Sequence, residues 1–169
     1  MNRIALAALA ALLLAGCATK LSTYTRTAYG SSLFGEIYRL CPTNRIEGPL
    51  DGKYESFTYE EWDKWLPTSS LASKANSWDC DDYALEMMVR SRRLYRIFGP
   101  LESTPAIGLV VGKMEKHGFL GLSGTGLHAM NIIHVKDHGW MFYEPQMRRT
   151  ALVREALREK MFTIHWIMF

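Results

Sequence analysis

The chain has little charge of one sign: Lys+Arg 20 against Asp+Glu 17 leaves a formal net charge of +3 over 169 residues. So small an excess makes no strong electrostatic field, which argues against a dedicated nucleic-acid binder. Cysteine is scarce as well; three are too few for a disulfide scaffold. No internal repeat and no low-complexity tract is present, which excludes solenoids and arrays. At 48% hydrophobic and 22% charged, the chain is not a disordered tail, a collagen or a coiled coil. The glycines of 118–126 lack the Gly-Lys-Ser/Thr ending of a phosphate-binding loop. His117, His138 and His165 have no acidic or cysteine company that would suggest a metal site. Only one long apolar run exists, Ile4 to Leu14, and it is short of the roughly 20 residues that span a bilayer.

What is present begins with that run. Arg3, the apolar stretch and then Leu14-Ala15-Gly16-Cys17 have the order of a secretory signal. Leu-Ala-Gly-Cys is similar to the lipobox of bacterial lipoproteins. The resemblance implies a signal peptide at 1–16, cleavage before Cys17, and lipid on its sulfur. Ala18 in the next position implies sorting to the outer membrane, facing the periplasm. Loss of Arg3 leaves 19 basic and 17 acidic residues, or +2. Residues 17–30 then read as the lipidated cysteine and a polar tether, and 31–169 as one domain, expected to be monomeric.

Within 31–57 the turn signals are scattered and place no element. A short helix is expected at about Tyr59–Leu66, with Thr58 and Glu61 at capping-box spacing and Pro67 as its stop. The clearest helix is expected from about Asp79 to Phe98. Ala84, Met87, Met88, Ser91, Leu94, Tyr95 and Phe98 follow a helical period, and Gly99-Pro100 ends it. Strands are expected at Ile107–Val111, Leu127–Val135, Trp140–Tyr143 and Met161–Phe169, with a helix at 151–159. One long helix followed by mostly antiparallel strands indicates α+β.

Cys80 falls at the start of the long helix. Free backbone N–H groups and the helix dipole favour a thiolate there. Such a nucleophile needs a histidine to manage its proton and a third group to orient it. His128 and Glu144 supply that order. Both face the same side only if the loop of their hairpin is odd in length; three residues with Gly139 beside the bulge satisfies this. Gln146 has the parity of Glu144 and is the fallback orienter, or a cleft-lining residue together with Trp78. Cys41 reads as a spare thiol, with pairing to Cys80 the alternative.

At these residues the chain resembles a known group. Trp78-Asp79-Cys80-Asp81-Asp82-Tyr83-Ala84, His128-Ala129-Met130-Asn131 and Trp140-Met141-Phe142-Tyr143-Glu144-Pro145 are similar to the motifs of bacterial transglutaminase-like cysteine proteinases, over roughly 60–146. The resemblance implies a papain-like core, with the nucleophile at the N-terminus of a long helix packed on an antiparallel sheet. It implies a periplasm-facing cysteine hydrolase, with Cys80, His128 and Glu144 catalytic and a peptide or protein of the cell envelope as substrate. Some members bind calcium through acids flanking the cysteine, which makes Asp79 and Asp81 candidate ligands; no other cofactor is required. Glu144 departs from the usual Asp. Two alternatives stand beside this reading. One is an NlpC-type peptidoglycan endopeptidase. The other is a non-catalytic lipoprotein that binds a membrane protein of the envelope.

Overall fold

In a computed structural model, the described residues are 33–41, 45–47, 54–66, 79–99 and 103–169. The signal peptide at 1–16, Cys17, the tether and Trp78 lie outside them.

The frame is a six-stranded sheet, ordered β1-β8-β4-β5-β6-β7. Its strands are β1 (Arg45–Glu47), β4 (Ile107–Met114), β5 (Gly126–Val135), β6 (Gly139–Glu144), β7 (Arg149–Leu152) and β8 (Phe162–Met168). β1 runs parallel to β8, and the other five are antiparallel. β2 (Tyr54–Glu55) and β3 (Thr104–Pro105) form a separate parallel pair. The helices are α1 (Leu33–Leu40), α2 (Tyr59–Trp65), α3 (Cys80–Phe98) and α4 (Val153–Arg158).

Alternation along the strands gives the sheet two apolar faces. One carries Val110, Met130, Ile132, Trp140, Phe142, Phe162, Ile164 and Ile167, packed with Ile37 of α1 and Val153 and Ala156 of α4. The other carries Ile107, Leu109, Ala129, Ile133, Val135, Met141 and Tyr143, packed with α2 and α3. The central strands are buried on both faces, so they read as continuous apolar runs instead of alternating ones.

The local chemistry explains the elements. Thr58 caps α2: its side chain accepts from the Glu61 N–H, and Glu61 accepts from the Thr58 N–H at 2.9 Å. Trp62 and Leu66 are buried and Trp65 half-buried, and Trp62 Nε1 donates to the His134 carbonyl at 3.0 Å. In α3, Ala84, Met87, Met88, Ser91 and Tyr95 are buried. Phe98, expected on the same face, is 74% exposed, because it stands in the last turn beyond the packed part of the helix. The β5–β6 hairpin pairs Val135 with Gly139, which leaves the three-residue loop Lys136-Asp137-His138. Asp137 and Gly139 both have positive φ, the bulged-turn backbone of such a loop.

Expectations need correcting at this level. The segment 151–159 is not helical throughout: Arg149–Leu152 pairs with β6 before α4 begins. The glycine-containing stretch 118–126 carries a short 3-10 turn, with Phe119 and Leu120 buried in the core. The helix-centred, papain-like and transglutaminase-like core is also replaced, by an architecture framed on the sheet. The motifs covered 60–146, and three of the six strands, β1, β7 and β8, lie outside that stretch. β8 inserts between β1 and β4, which no motif marked.

Candidate functional site

Cys80 is the first residue of α3, after Asp79 in an extended N-cap conformation. The Asp79 N–H donates to Asp82 Oδ2 at 3.4 Å, so two of the acids secure the helix start. The sulfur meets β5 where β5 and β6 part. Their pairing ends at Asn131 opposite Tyr143, and two residues further on the same register would set Ala129 against Pro145. Proline has no N–H to continue a ladder. The Ala129 N–H instead donates to Cys80 Sγ at 3.3 Å.

His128, the residue before it, is buried. Its Nε2 donates to Glu144 Oε2 at 2.6 Å, with only 8% and 1% of the two side chains exposed. The same carboxylate accepts the Gln146 N–H at its Oε1, 3.0 Å away. Glu144 is thus held at both oxygens, and the imidazole is fixed through one nitrogen. The other nitrogen is left for Cys80, with which His128 also shares a side-chain hydrogen bond.

The protonation equilibria follow from this geometry. The hydrogen bond with His128 holds the Cys80 thiol below its ordinary value against its partial burial; the Ala129 N–H and the imidazole charge add to that, and Asp81 opposes it. Burial alone would push His128 down. The hydrogen bonds and charges of Cys80 and Glu144 outweigh it and raise His128 to about 9. Both shifts act in the direction of a thiolate beside an imidazolium.

The other predicted residues are placed as follows. Gln146 contributes its backbone N–H to Glu144 while its side chain is exposed, so it is not the orienter. Asp79 and Asp81 hydrogen-bond each other, which lowers the first and raises the second, as for two carboxyls sharing a proton. Calcium takes about 6–8 oxygens, of which these two carboxyls would supply a part. Among the described residues no group of three His, Cys, Asp or Glu side chains is arranged to hold a metal ion. Cys41 and Cys80 are both free thiols. Cys41 is buried, and that burial pushes its pKa up to about 12.

No family model matches the chain, and no curated protein matches it. Solved chains do match it, among them the following two. One, described as a PSL1a–E64 complex, has a TM-score of 0.59 and 19% identity over 81% of this chain and 49% of that chain. The other is a Polyporus squamosus lectin bound to the human-type influenza-binding epitope Neu5Acα2-6Galβ1-4GlcNAc, with a TM-score of 0.58 and 18% identity over 80% of this chain and 48% of that one. The fold is shared with lectin chains. The present chain spans about half the length of those solved chains, and at such identity the likeness concerns fold alone.

This finding overturns the family resemblance drawn from the three motifs. The assignment to the transglutaminase-like cysteine proteinases is withdrawn, and the papain-like fold name with it. The cysteine-hydrolase activity, the peptide or protein substrate and the NlpC-type alternative go the same way. The physical reason is that a Cys, His and acid in sequence order fix one helix start and one hairpin. Like constellations recur on unrelated folds.

Sequence reasoning missed the Ala129 N–H as a partner of the sulfur and gave Asn131 no role of its own. Asn131 had a visible signal, a lone amide in the middle of the apolar run Ala129–Val135.

A second histidine on the same strand titrates in the opposite sense. His134 Nδ1 lies 2.8 Å from Ser56 Oγ, and its ring packs edge-on against Trp140. Its Nε2 is 4.0 Å from Glu36. Burial lowers its pKa from 6.5 to about 4. The folded state therefore prefers the neutral ring, and the unfolded state binds the extra proton. Its contribution is complete above about 6.5 and is lost as pH falls from 6.5 towards 4, by up to about 3 kcal/mol. His134→Gln should flatten the stability profile across that window in urea unfolding; an unchanged slope would count against the assignment.

Proposed function

We propose that this chain is a non-catalytic binding protein whose ligand is a carbohydrate. We place it at the cell envelope through lipid on Cys17, at the outer membrane and facing the periplasm. The observation that carries the reading is the fold shared with lectin chains over four-fifths of the sequence, one of them bound to a sialylated glycan. No helix among the described residues is long and apolar enough to cross a membrane, which fits attachment by lipid. The test is a glycan array probed with the detergent-solubilised full chain. Saturable binding to defined glycans, kept in Cys80→Ala, supports the reading. Failure to bind any arrayed glycan or purified envelope polysaccharide would sink it.

The geometry at α3 favours a second element of the same reading. In this reading Cys80, His128 and Glu144 form a thiolate–imidazolium centre, with Cys80 the nucleophile, His128 its proton partner and Glu144 the orienter. No turnover is part of this reading. E64, named with one of the solved neighbours, carries an epoxide. A thiolate opens that ring with one C–S bond formed and one C–O bond broken, and the alkoxide takes the proton from His128. Mass mapping of the chain after E64 treatment should find the adduct on Cys80, and an unmodified Cys80 would remove this element.

A further inference from the structure

Asn131 lies in the middle of β5 with 0% of its surface exposed, between Met130 and Ile132. Its Nδ2 donates to the Ala84 carbonyl at 2.8 Å and to the Gly108 carbonyl at 3.1 Å. Ala84 is four residues beyond Cys80, one turn along the same side of α3. Gly108 belongs to β4. One side chain thus ties the helix to two central strands. Two residues earlier on the same strand, the Ala129 N–H meets Cys80 Sγ at 3.3 Å.

The other half of the amide is unpaired: Asn131 Oδ1 is buried and has no hydrogen-bond partner. An orphaned buried acceptor is destabilising, and an apolar side chain at this position would not carry one. Stability alone therefore does not account for an asparagine here. We propose that Asn131 is a positioning residue. It clamps α3, one turn beyond Cys80, onto β5 and β4, and so sets Cys80 Sγ against His128 and the Ala129 N–H. The inference rests on the thiolate–imidazolium reading of Cys80.

The test follows the rate of iodoacetamide alkylation of Cys80 against pH, by peptide mapping, in the full chain. Asn131→Leu and Asn131→Ser are compared with the parent, with thermal unfolding recorded in parallel. Asn131→Leu is expected to fold with a modestly lower melting temperature, because the Ala84 and Gly108 carbonyls lose their donor and the side chain gains bulk. Its alkylation profile should move up towards that of an ordinary thiol, with at least about a tenfold loss of rate at pH 6. Asn131→Ser, which also loses both carbonyl contacts, should move the same way. Two variants that keep the parent profile would overturn the proposal and leave Asn131 a packing residue. A parent chain with the profile of an ordinary thiol would instead bring down the thiolate reading, and this inference with it.

Discussion

Replacing His128 with glutamine should slow alkylation of Cys80 at pH 6 by at least about tenfold. The hydrogen bond from His128 is the largest of the effects that hold the thiol below its ordinary value. Without it, the partial burial of the sulfur and the nearby Asp81 act in the raising direction, and the Ala129 N–H opposes them. At a pH below the thiol pKa, each unit regained removes about nine-tenths of the remaining thiolate. A more basic thiolate is intrinsically more nucleophilic, which returns part of the loss but less than half on a logarithmic scale. Glutamine occupies the buried site and keeps a hydrogen-bonding group towards Glu144, so the fold is spared. The pH dependence carries the sign. In the parent, the reactive state persists down to the lowered thiol pKa, while in the variant reactivity rises only towards the ordinary thiol range. Cys41 is an internal control, since burial holds it unreactive near neutrality. A variant as reactive as the parent at pH 6 would mean that His128 does not govern the sulfur.

The largest effect on stability is expected at Gly112. It pairs with His128 on β5 and sits at a register shift between β4 and β8. A Cβ there would run into the Thr163 carbonyl oxygen and would come within 2.7 Å of Phe162 Cζ. The obstacle is backbone, held by the β4–β8 ladder, so no flexible side chain can move aside. Gly112→Ala must push the central strands apart or deepen the bulge, and should cost about 3–5 kcal/mol. That is a large part of the stability of a domain this size. A denaturant midpoint equal to that of the parent would show that β8 moves freely against β4. If the variant folds, the His128–Glu144 pair one strand away should also be disturbed.

Much of the site was legible from local chemistry. The start of α3 followed from Asp79, from the period of its apolar residues and from Gly99-Pro100. The approach of His128 to Glu144 followed from counting: an odd loop places both on one side of the hairpin, and the loop has three residues. The overall architecture was not legible in the same way. β1 and β7 are three and four residues long and carry no alternation that stands out from their surroundings. β8 was visible as a strand, but its place between β1 and β4 was not. Strand order is set by contacts between residues far apart in the chain, and no local pattern encodes it. For the same reason the motifs led to the wrong family.

The sequence by itself determined where the helix begins, which residues share a face of the hairpin, and which three side chains could meet. These depend on backbone periodicity and turn length, and both are local. The tertiary structure decided that the strands part where Pro145 would face Ala129, which frees an N–H for the sulfur. It also decided that Asn131 ties helix to sheet, that Cys41 is shut away from Cys80, and that the sheet has the fold of lectin chains. Those outcomes depend on burial and on long-range pairing, which exist only once the chain has closed on itself.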